Sequence, residues 1–287
     1  MTWDSDTIRR FFRYKRTIAA LTIIAIFTAS AILAPLISPY DPHNINFKSF
    51  DPPSAAHWLG TDSYGQDVLS QLIWGSRISI MVGIFAGLLT SIVGTAIGVI
   101  SGYKKGVLGE VLMRVVDLFL VIPNLILLIL LAAFLPNLGT FGEIIIISAL
   151  GWLWMARSIR AQTLTEGSRD YILAARALGI PDREIMFKEL LPNILPVVLA
   201  NMILVITAAI LTEASLSFLG VAGDPTTVSW GRMLALAFTN NAVIYNAWWW
   251  TLPPGLCIAT LGFSFILLGN AVLDLFARNR GGNVQIQ

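Results

Sequence analysis

Charged side chains are scarce in this sequence. Lys, Arg, Asp and Glu make up only 13% of its 287 residues, whereas 56% are hydrophobic and the mean hydropathy is +0.74. Soluble domains carry about 25% charged residues, roughly twice the share found here. The composition therefore excludes an ordinary soluble domain and predicts an all-α integral membrane protein.

Cysteine and histidine are also rare. The single cysteine, Cys257, cannot form an intrachain disulfide, and its apolar neighbours in the sequence predict a small buried side chain. The two histidines, His43 and His57, have no neighbouring cysteine or carboxylate cluster. We expect both to be solvated loop residues, and we expect no metal site.

The motifs of nucleotide-binding and hydrolytic proteins are missing. No Gly-Lys pair occurs in the chain, so it has no P-loop to hold nucleotide phosphates. Neither G-x-S-x-G nor H-E-x-x-H occurs. The sequence predicts a protein that is not an enzyme and binds no cofactor itself.

Long uncharged runs are abundant. A membrane helix needs about 20 apolar residues to cross about 30 Å of hydrocarbon. Five runs meet or approach that length, at 17–35, 78–102, 118–136, 190–212 and 248–273. A sixth run, 144–156, has only 13 uncharged residues and is the weakest predicted span.

The basic residues support six spans. With the N-terminus in the cytoplasm, only Lys48, Arg77 and Arg232 of the 19 basic residues fall outside, as the positive-inside rule requires. Both termini are then cytoplasmic. The predicted organisation is a cytoplasmic segment (1–16), a first helix with an outer segment (17–76), a core of five helices (77–276) and a cytoplasmic tail (277–287).

Small residues recur in the second run. They form three pairs spaced four residues apart, Gly83/Gly87, Gly94/Gly98 and Gly98/Gly102. Residues four apart share one helix face, and glycines there allow close approach of another backbone. We expect a tight helix interface on this face.

Prolines interrupt two of the runs. Pro123, followed by Asn124, and the pair Pro192 and Pro196 each remove a helical hydrogen bond, so we expect these helices to kink or hinge. Carbonyls freed at membrane depth must be satisfied by neighbours or by water in a cavity.

Three of the carboxylates that adjoin the apolar runs have a specific predicted role: Asp117, Glu213 and Asp274. The spacing predicts that Asp117 pairs with Arg114 and Asp274 with Arg278. Glu213 has no local partner, so two roles remain open: structural hydrogen bonding, or lining of a substrate path.

The segment 157–193 is the largest predicted cytoplasmic segment between spans, and it is predicted to form two short helices. Tyr171, Ala174, Ala175 and Leu178 follow the spacing of one apolar stripe. Gly179 is suited to end the first helix, and Pro181 to begin the second. A short helix of this kind suits docking into a groove of another protein, or resting on the membrane interface.

Here the sequence resembles a known family. Tyr171-Ile-Leu-Ala-Ala-Arg-Ala-Leu-Gly179, followed by Leu191-Pro-Asn193, is similar to the EAA loop of ABC importer permeases, whose short helix inserts into a cleft of the ATPase. The resemblance implies ATPase docking by Tyr171, Ala174, Ala175, Arg176, Ala177, Leu178, Gly179, Ile185, Leu191 and Pro192. Leu173 stands where the family often has Glu, which puts a charge contact there in doubt.

Further motifs narrow the resemblance. His57-Trp-Leu-Gly-Thr-Asp62, Gly75-Ser-Arg-Ile-Ser79, Glu213-Ala-Ser-Leu-Ser-Phe-Leu-Gly220 and Ser229-Trp-Gly231 resemble the C-type permeases of dipeptide, oligopeptide and nickel importers. The similarity extends from about residue 10 to 275. Departures are Gln66, where the family usually has Arg, and a tail without the usual Asp-Pro-Arg ending.

The resemblance implies a type I ABC importer fold with six transmembrane helices and a cytoplasmic coupling helix, in the plasma (inner) membrane of a prokaryote. Its implied partners are a second, homologous permease, an extracytoplasmic binding protein and two ATPases, which would hold ATP and Mg²⁺. The outer loop at about 214–247 would contact the binding protein.

The cargo stays open between di- or oligopeptides and, by the same mechanism, oligosaccharides. Trp248, Trp249 and Trp250 are either an interfacial aromatic belt or a surface suited to sugars. An ATPase-independent channel or secondary transporter is a remote alternative that leaves the 157–193 segment unexplained.

Overall fold

The computed structural model describes residues 14–104, 106–135, 139–221 and 226–281, with only the backbone described for 276–281. This part of the chain forms helices joined by loops, with no strand and one isolated β-bridge between Thr61 and Asp67. In chain order the helices are α1 (Lys15–Ile37), α2 (Val68–Tyr103), α3 (Val107–Val121), α4 (Asn124–Phe134), α5 (Gly139–Glu166), α6 (Asp170–Ala177), α7 (Asp182–Phe218), α8 (Trp230–Thr239) and α9 (Trp248–Gly281).

Five of these helices, α1, α2, α5, α7 and α9, are long and apolar enough to cross a membrane. Together, α3 and α4 pass the same test as one broken span, which gives up to six. The all-helical fold class with five to six spans is confirmed. The 144–156 run, weakest in the sequence, lies within the 28-residue helix α5.

The break between α3 and α4 is sharper than a kink, since the two helices meet at 90°. Pro123 has no N–H and disfavours a helical conformation at the preceding residue. Ile122 is accordingly extended, with φ −83° and ψ 132°. Pro192 and Pro196 do not break their helix, since α7 continues through both of them. A π-helical segment, Ile185–Leu190, lies immediately before them.

The glycine face of α2 forms the centre of the fold. A β-carbon placed on Gly94 would lie 2.5 Å from Cβ of Met155 on α5, and one on Gly87 would lie 2.5 Å from Cγ1 of Ile206 on α7. Gly83, Gly98 and Gly102 are equally closely covered. The predicted tight interface is confirmed, because no larger residue fits between α2 and its two neighbours.

The bundle has two distinct ends. One, called here the α6 end, holds α6, the end of α2 and the start of α7. The opposite end, called the α8 end, holds α8 and the segment 38–67, which folds over the start of α2. A buried cluster containing Trp230, Trp249 and Trp250 lies at the α8 end, and one containing Ile172 and Ile185 lies at the α6 end.

The prediction that His57 is solvated is wrong. His57 is buried, with Nδ1 2.9 Å from Oδ1 of Asp67. Asp67 also caps α2 by accepting from the backbone N–H of Ser70 at 2.8 Å. His43, in contrast, is exposed.

The predicted Asp117–Arg114 pair is replaced by a pair between helices, and the predicted Asp274–Arg278 pair involves a side chain outside the described residues. The Asp117 carboxylate accepts from Arg157 on α5 at 2.7 Å rather than from Arg114. Asp274 on α9 contacts Arg16 on α1, and the side chain of Arg278 lies outside the described residues. Residues distant in sequence supply both partners, which local spacing could not reveal.

Candidate docking and translocation sites

The connection around α6 is shorter than predicted. Helix α5 continues to Glu166 and α7 begins at Asp182, so one short helix lies between them. The predicted second short helix is the first turn of α7. Gly179 lies just after the end of α6 and has φ +75°. Glycine adopts this left-handed conformation at little cost because it has no β-carbon.

Helix α6 has two apolar faces. Ile172 and Ala175 are buried in the cluster at the α6 end. The opposite face presents Leu173, Ala174, Ala177 and Leu178, and 81% of Leu178 is exposed. The helix therefore uses one face to pack on its own chain and leaves the other uncovered.

The predicted stripe of Tyr171, Ala174, Ala175 and Leu178 is not the buried one, since Ala175 alone among them is buried. Helix α6 has apolar residues all around, so its spacing allows more than one stripe. Of the other residues in the docking prediction, Ile185 is buried, Leu191 is partly buried, and Ala177, Gly179 and Pro192 are exposed.

Tyr171 lies at the edge of the two faces. Its hydroxyl donates to Oε1 of Glu166 at 2.9 Å. Partial burial, followed by the hydrogen bond and the negative charge of Glu166, raises the pKa of Tyr171 to about 12. The phenol therefore stays neutral and holds α6 to the end of α5.

Arg176 points inward rather than away from the chain. Its guanidinium carbon lies 4.3 Å from the ring centroid of Tyr103, the last residue of α2, and its Nε–H donates to the Tyr103 hydroxyl at 3.2 Å. The same hydroxyl donates to Oδ1 of Asp182, the first residue of α7, at 2.9 Å. Three helices meet at this phenol.

A cavity of about 430 Å³ opens between α2, α4, α5 and α7. Its lining contains no charged side chain, but it contains amides and hydroxyls in otherwise apolar helices: Thr90, Asn124, Ser158, Asn201 and Thr212. Trp154 forms part of the wall and is 66% exposed. Asn124 begins α4 directly after the proline break, so the break turns an amide toward this cavity. Polar groups at membrane depth face protein or water rather than lipid.

Glu213 is separate from this cavity. It is fully buried on α7, where it accepts from Ser79 on α2 at 2.9 Å and from Ser217 at 3.0 Å. Of its two predicted roles, the structural one agrees with these contacts. Glu143 on α5, which directly precedes the apolar run 144–156, also has a buried carboxyl, with no hydrogen-bond partner among the described residues.

The predicted aromatic belt at the start of α9 is not continuous. It consists of Trp248, Trp249 and Trp250. Trp250 is fully buried, and buried Trp249 donates from Nε1 to the carbonyl of Thr61 at 3.1 Å. Trp248 is 57% exposed. Trp249 and Trp250 therefore pack the segment 38–67 onto α9 and offer no free aromatic face.

The sequence profile of one protein family matches residues 94–281 of this chain. That family is described as binding-protein-dependent transport system inner membrane component. The chain belongs to this family. Residues 2–53 of the permease also match the N-terminal TM domain of oligopeptide transport permease C. The resemblance stated from the sequence is confirmed.

Named relatives agree with the family. The permease is 37% identical to the oligopeptide transport system permease protein OppC of Bacillus subtilis, over 91% of this chain and 85% of that protein. It is 36% identical to the dipeptide transport system permease protein DppC of Haemophilus influenzae, over 92% and 91% respectively.

A solved structure shares the fold. A chain of the MetNI methionine ABC transporter, determined in inward-facing conformations, superposes with a TM-score of 0.52 at 20% sequence identity. The match covers 76% of this permease and 97% of that chain. The multi-pass membrane fold of an ABC importer subunit is thereby established for the permease.

Proposed function

We propose that this permease forms half of the translocation pathway of an ATP-driven, binding-protein-dependent importer of di- or oligopeptides. The observation that carries the proposal is the uncovered apolar face of α6. Buried Ile172 anchors the helix to the bundle, and the opposite face exposes Leu173, Ala174, Ala177 and Leu178. Burial of such a face in a partner groove is favourable by the hydrophobic effect.

The partner at this face is a cytoplasmic ATPase, one of two in the assembled importer. The α6 end then lies in the cytoplasm with both chain termini, and the α8 end faces the binding protein. The distribution of basic residues in the sequence supports this orientation. The membrane is the plasma (inner) membrane of a prokaryote.

The permease itself catalyses no reaction in this proposal and binds no cofactor. The ATPases hold ATP and Mg²⁺, and the permease receives their motion through α6. Exposed residues such as Ala177, Leu178 and Gly179 are suited to direct contact, whereas buried Ala175 and Ile185 support the helix from behind. Leu173, half exposed, makes the contact apolar where the family often has a Glu charge.

The cargo passes between this permease and a second, homologous one, along the 430 Å³ cavity. The amides of Asn124 and Asn201 match the hydrogen-bonding groups of a peptide backbone, and an uncharged wall does not select for side-chain charge. The names of the relatives, dipeptide and oligopeptide permeases, support peptides as cargo. The inward packing of Trp249 and Trp250 leaves Trp248 as the one exposed tryptophan of the three, which weakens the argument for oligosaccharides.

The proposal is tested with the complete importer in liposomes, prepared with its ATPases and binding protein. We expect Leu178→Glu to abolish copurification of the ATPases and ATP-driven uptake of a labelled tripeptide, because a buried unpaired carboxylate opposes docking. The matched control is Val107→Glu, at a residue 79% exposed at the start of α3. Normal assembly and uptake by Leu178→Glu would contradict the proposal.

A further inference from the structure

The contacts of Tyr103 form a polar relay across three helices. Arg176 on α6 donates to the phenol oxygen, and the phenol donates to Asp182 on α7. Only 4% of Tyr103 is exposed, whereas Arg176 is half-buried and Asp182 is exposed, so the phenol is buried and its charged partners extend toward the surface. A phenol can donate one hydrogen bond and accept others, and here each contact involves a charged partner, which makes it stronger and more directional.

The other inward contacts of α6 have a different character. Ile172 and Ala175 pack in an apolar cluster with Ile185. Apolar contacts are non-directional, so they oppose separation of two surfaces more than sliding. The relay, in contrast, fixes where α6 sits along α2 and α7.

The connections of α6 along the chain are short turns that contain glycine. It follows a turn at Gly167 and is followed by Gly179, where a β-carbon would meet no atom within 4 Å. With only eight residues in α6, a push on its exposed face can rotate or slide it. A directional side-chain link adds to these backbone connections in passing that push to the long helices.

The long helices joined by the relay also line the cavity. Helix α2 contributes Thr90, and α7 contributes Asn201 and Thr212. We propose that Tyr103 is a positioning residue that locks α6 to the end of α2 and the start of α7, so that displacement of α6 by the ATPase moves the walls of the cargo path. This inference rests on the proposed function.

The main test measures the ATP consumed per peptide imported by the reconstituted importer. Tyr103→Phe keeps the ring, its burial and its stacking with Arg176 but removes both hydrogen bonds of the hydroxyl. We expect the ATP used per peptide to rise about fivefold, as for the loss of one net hydrogen bond, with assembly and melting temperature near those of the wild type.

The chain offers a matched control. Tyr40→Phe removes another phenol hydroxyl, one that donates to the carbonyl of Ala56 within the segment 38–67 at the α8 end. We expect its ATP consumption per peptide to equal that of the wild type. Asp182→Asn keeps an acceptor oxygen for Tyr103 and should give an intermediate value. Equal coupling in Tyr103→Phe and Tyr40→Phe would overturn the inference.

A second measurement separates this inference from the proposed function. Spin labels at the exposed positions Ala177 and Lys104 report the distance between α6 and the end of α2 in the full-length permease without ATPases. We expect Tyr103→Phe to broaden the distance distribution and Tyr40→Phe to leave it unchanged. An unchanged distribution in Tyr103→Phe would overturn the relay even if Leu178→Glu blocks docking. Docking that survives Leu178→Glu would instead overturn the proposed function and leave this result intact.

Discussion

The two ends of the bundle are held together in different ways. At the α8 end, buried side chains are connected by hydrogen bonds: Asp67 to His57 and Ser70, and Glu213 to Ser79. At the α6 end, the short helix rests on apolar contacts, the Tyr103 relay and the Tyr171–Glu166 hydrogen bond, and it leaves an apolar face uncovered.

The difference indicates separate mechanical roles. Buried hydrogen bonds are directional and costly to leave unmade, so the α8 end has one favoured arrangement. The α6 end has few such bonds among the described residues and is free to shift as a unit when a partner binds. The proposed importer fits this difference, because its α8 end faces the binding protein and its α6 end faces the ATPases.

The largest expected effect is at the rigid end. Asp67→Ala removes the cap of α2 and the partner of buried His57, and we expect it to lower the free energy of unfolding by about 3 kcal/mol. A thermal melt of the purified permease in detergent measures the loss. Asp67→Asn keeps one acceptor oxygen and should lose about 1 kcal/mol. An unchanged melting temperature for Asp67→Ala would show that the α8 end is no more firmly held than the α6 end.

An intermediate effect is expected from truncating the anchor of α6. Ile172→Ala removes a buried side chain, and we expect a cost of about 2 kcal/mol, at the low end of the range for core sites because α6 is short and uncovered on one face. Here we expect the loss to appear as release of α6, with faster tryptic cleavage after Arg169 and Arg176, while the melting temperature falls little. The matched control is Ile210→Ala, against Gly83 of α2, which should lower the melting temperature without exposing the loop.

The comparison of Ile172→Ala with Ile210→Ala decides between local and global stability. If both variants lower the melting temperature equally, α6 is an integral part of the core. If only Ile172→Ala becomes sensitive to trypsin, α6 is a separately opening unit, as expected for a segment that responds to a partner.

Several features could be predicted because their signal is local in the sequence. The glycine pairs of α2 lie on one helix face whatever surrounds them, so the tight interface followed from spacing alone. Pro123 marked the break, although nothing nearby specified an angle of 90°. The apolar length of five runs was enough to predict five spans. The short 144–156 run was predicted to span partly because the basic residues then fall on one side of the membrane.

Other features depend on contacts between distant residues. Arg176 meets Tyr103 across 73 positions, and Asp117 meets Arg157 across 40. The family resemblance implied an outward docking role for Arg176, and local spacing predicted a nearby partner for Asp117. Within α6 itself, apolar residues on every side left the choice of buried face to the shape of the cluster formed by α2, α5 and α7.

The smallest expected effect concerns pH. Burial raises the pKa of Asp62 at the α8 end, so its contribution to stability falls as pH rises just above its ordinary value of 3.8. At the α6 end, the pKa of Tyr171 is raised from 10.0 to about 12. Its contribution is therefore fully present below pH 10 and is lost as pH rises through 12.

In this alkaline pH range, the contribution of Tyr171 to the stability of α6 can be measured on its own. Between pH 10 and 12 the unfolded phenol ionises while the folded one keeps its proton, so α6 should loosen, by less than about 1 kcal/mol because the ring is partly solvated. Phenylalanine does not ionise, so the difference in trypsin sensitivity between wild type and Tyr171→Phe at pH 8 should shrink toward pH 11. A difference that stayed constant would mean that the Glu166 hydrogen bond does not hold α6 in place.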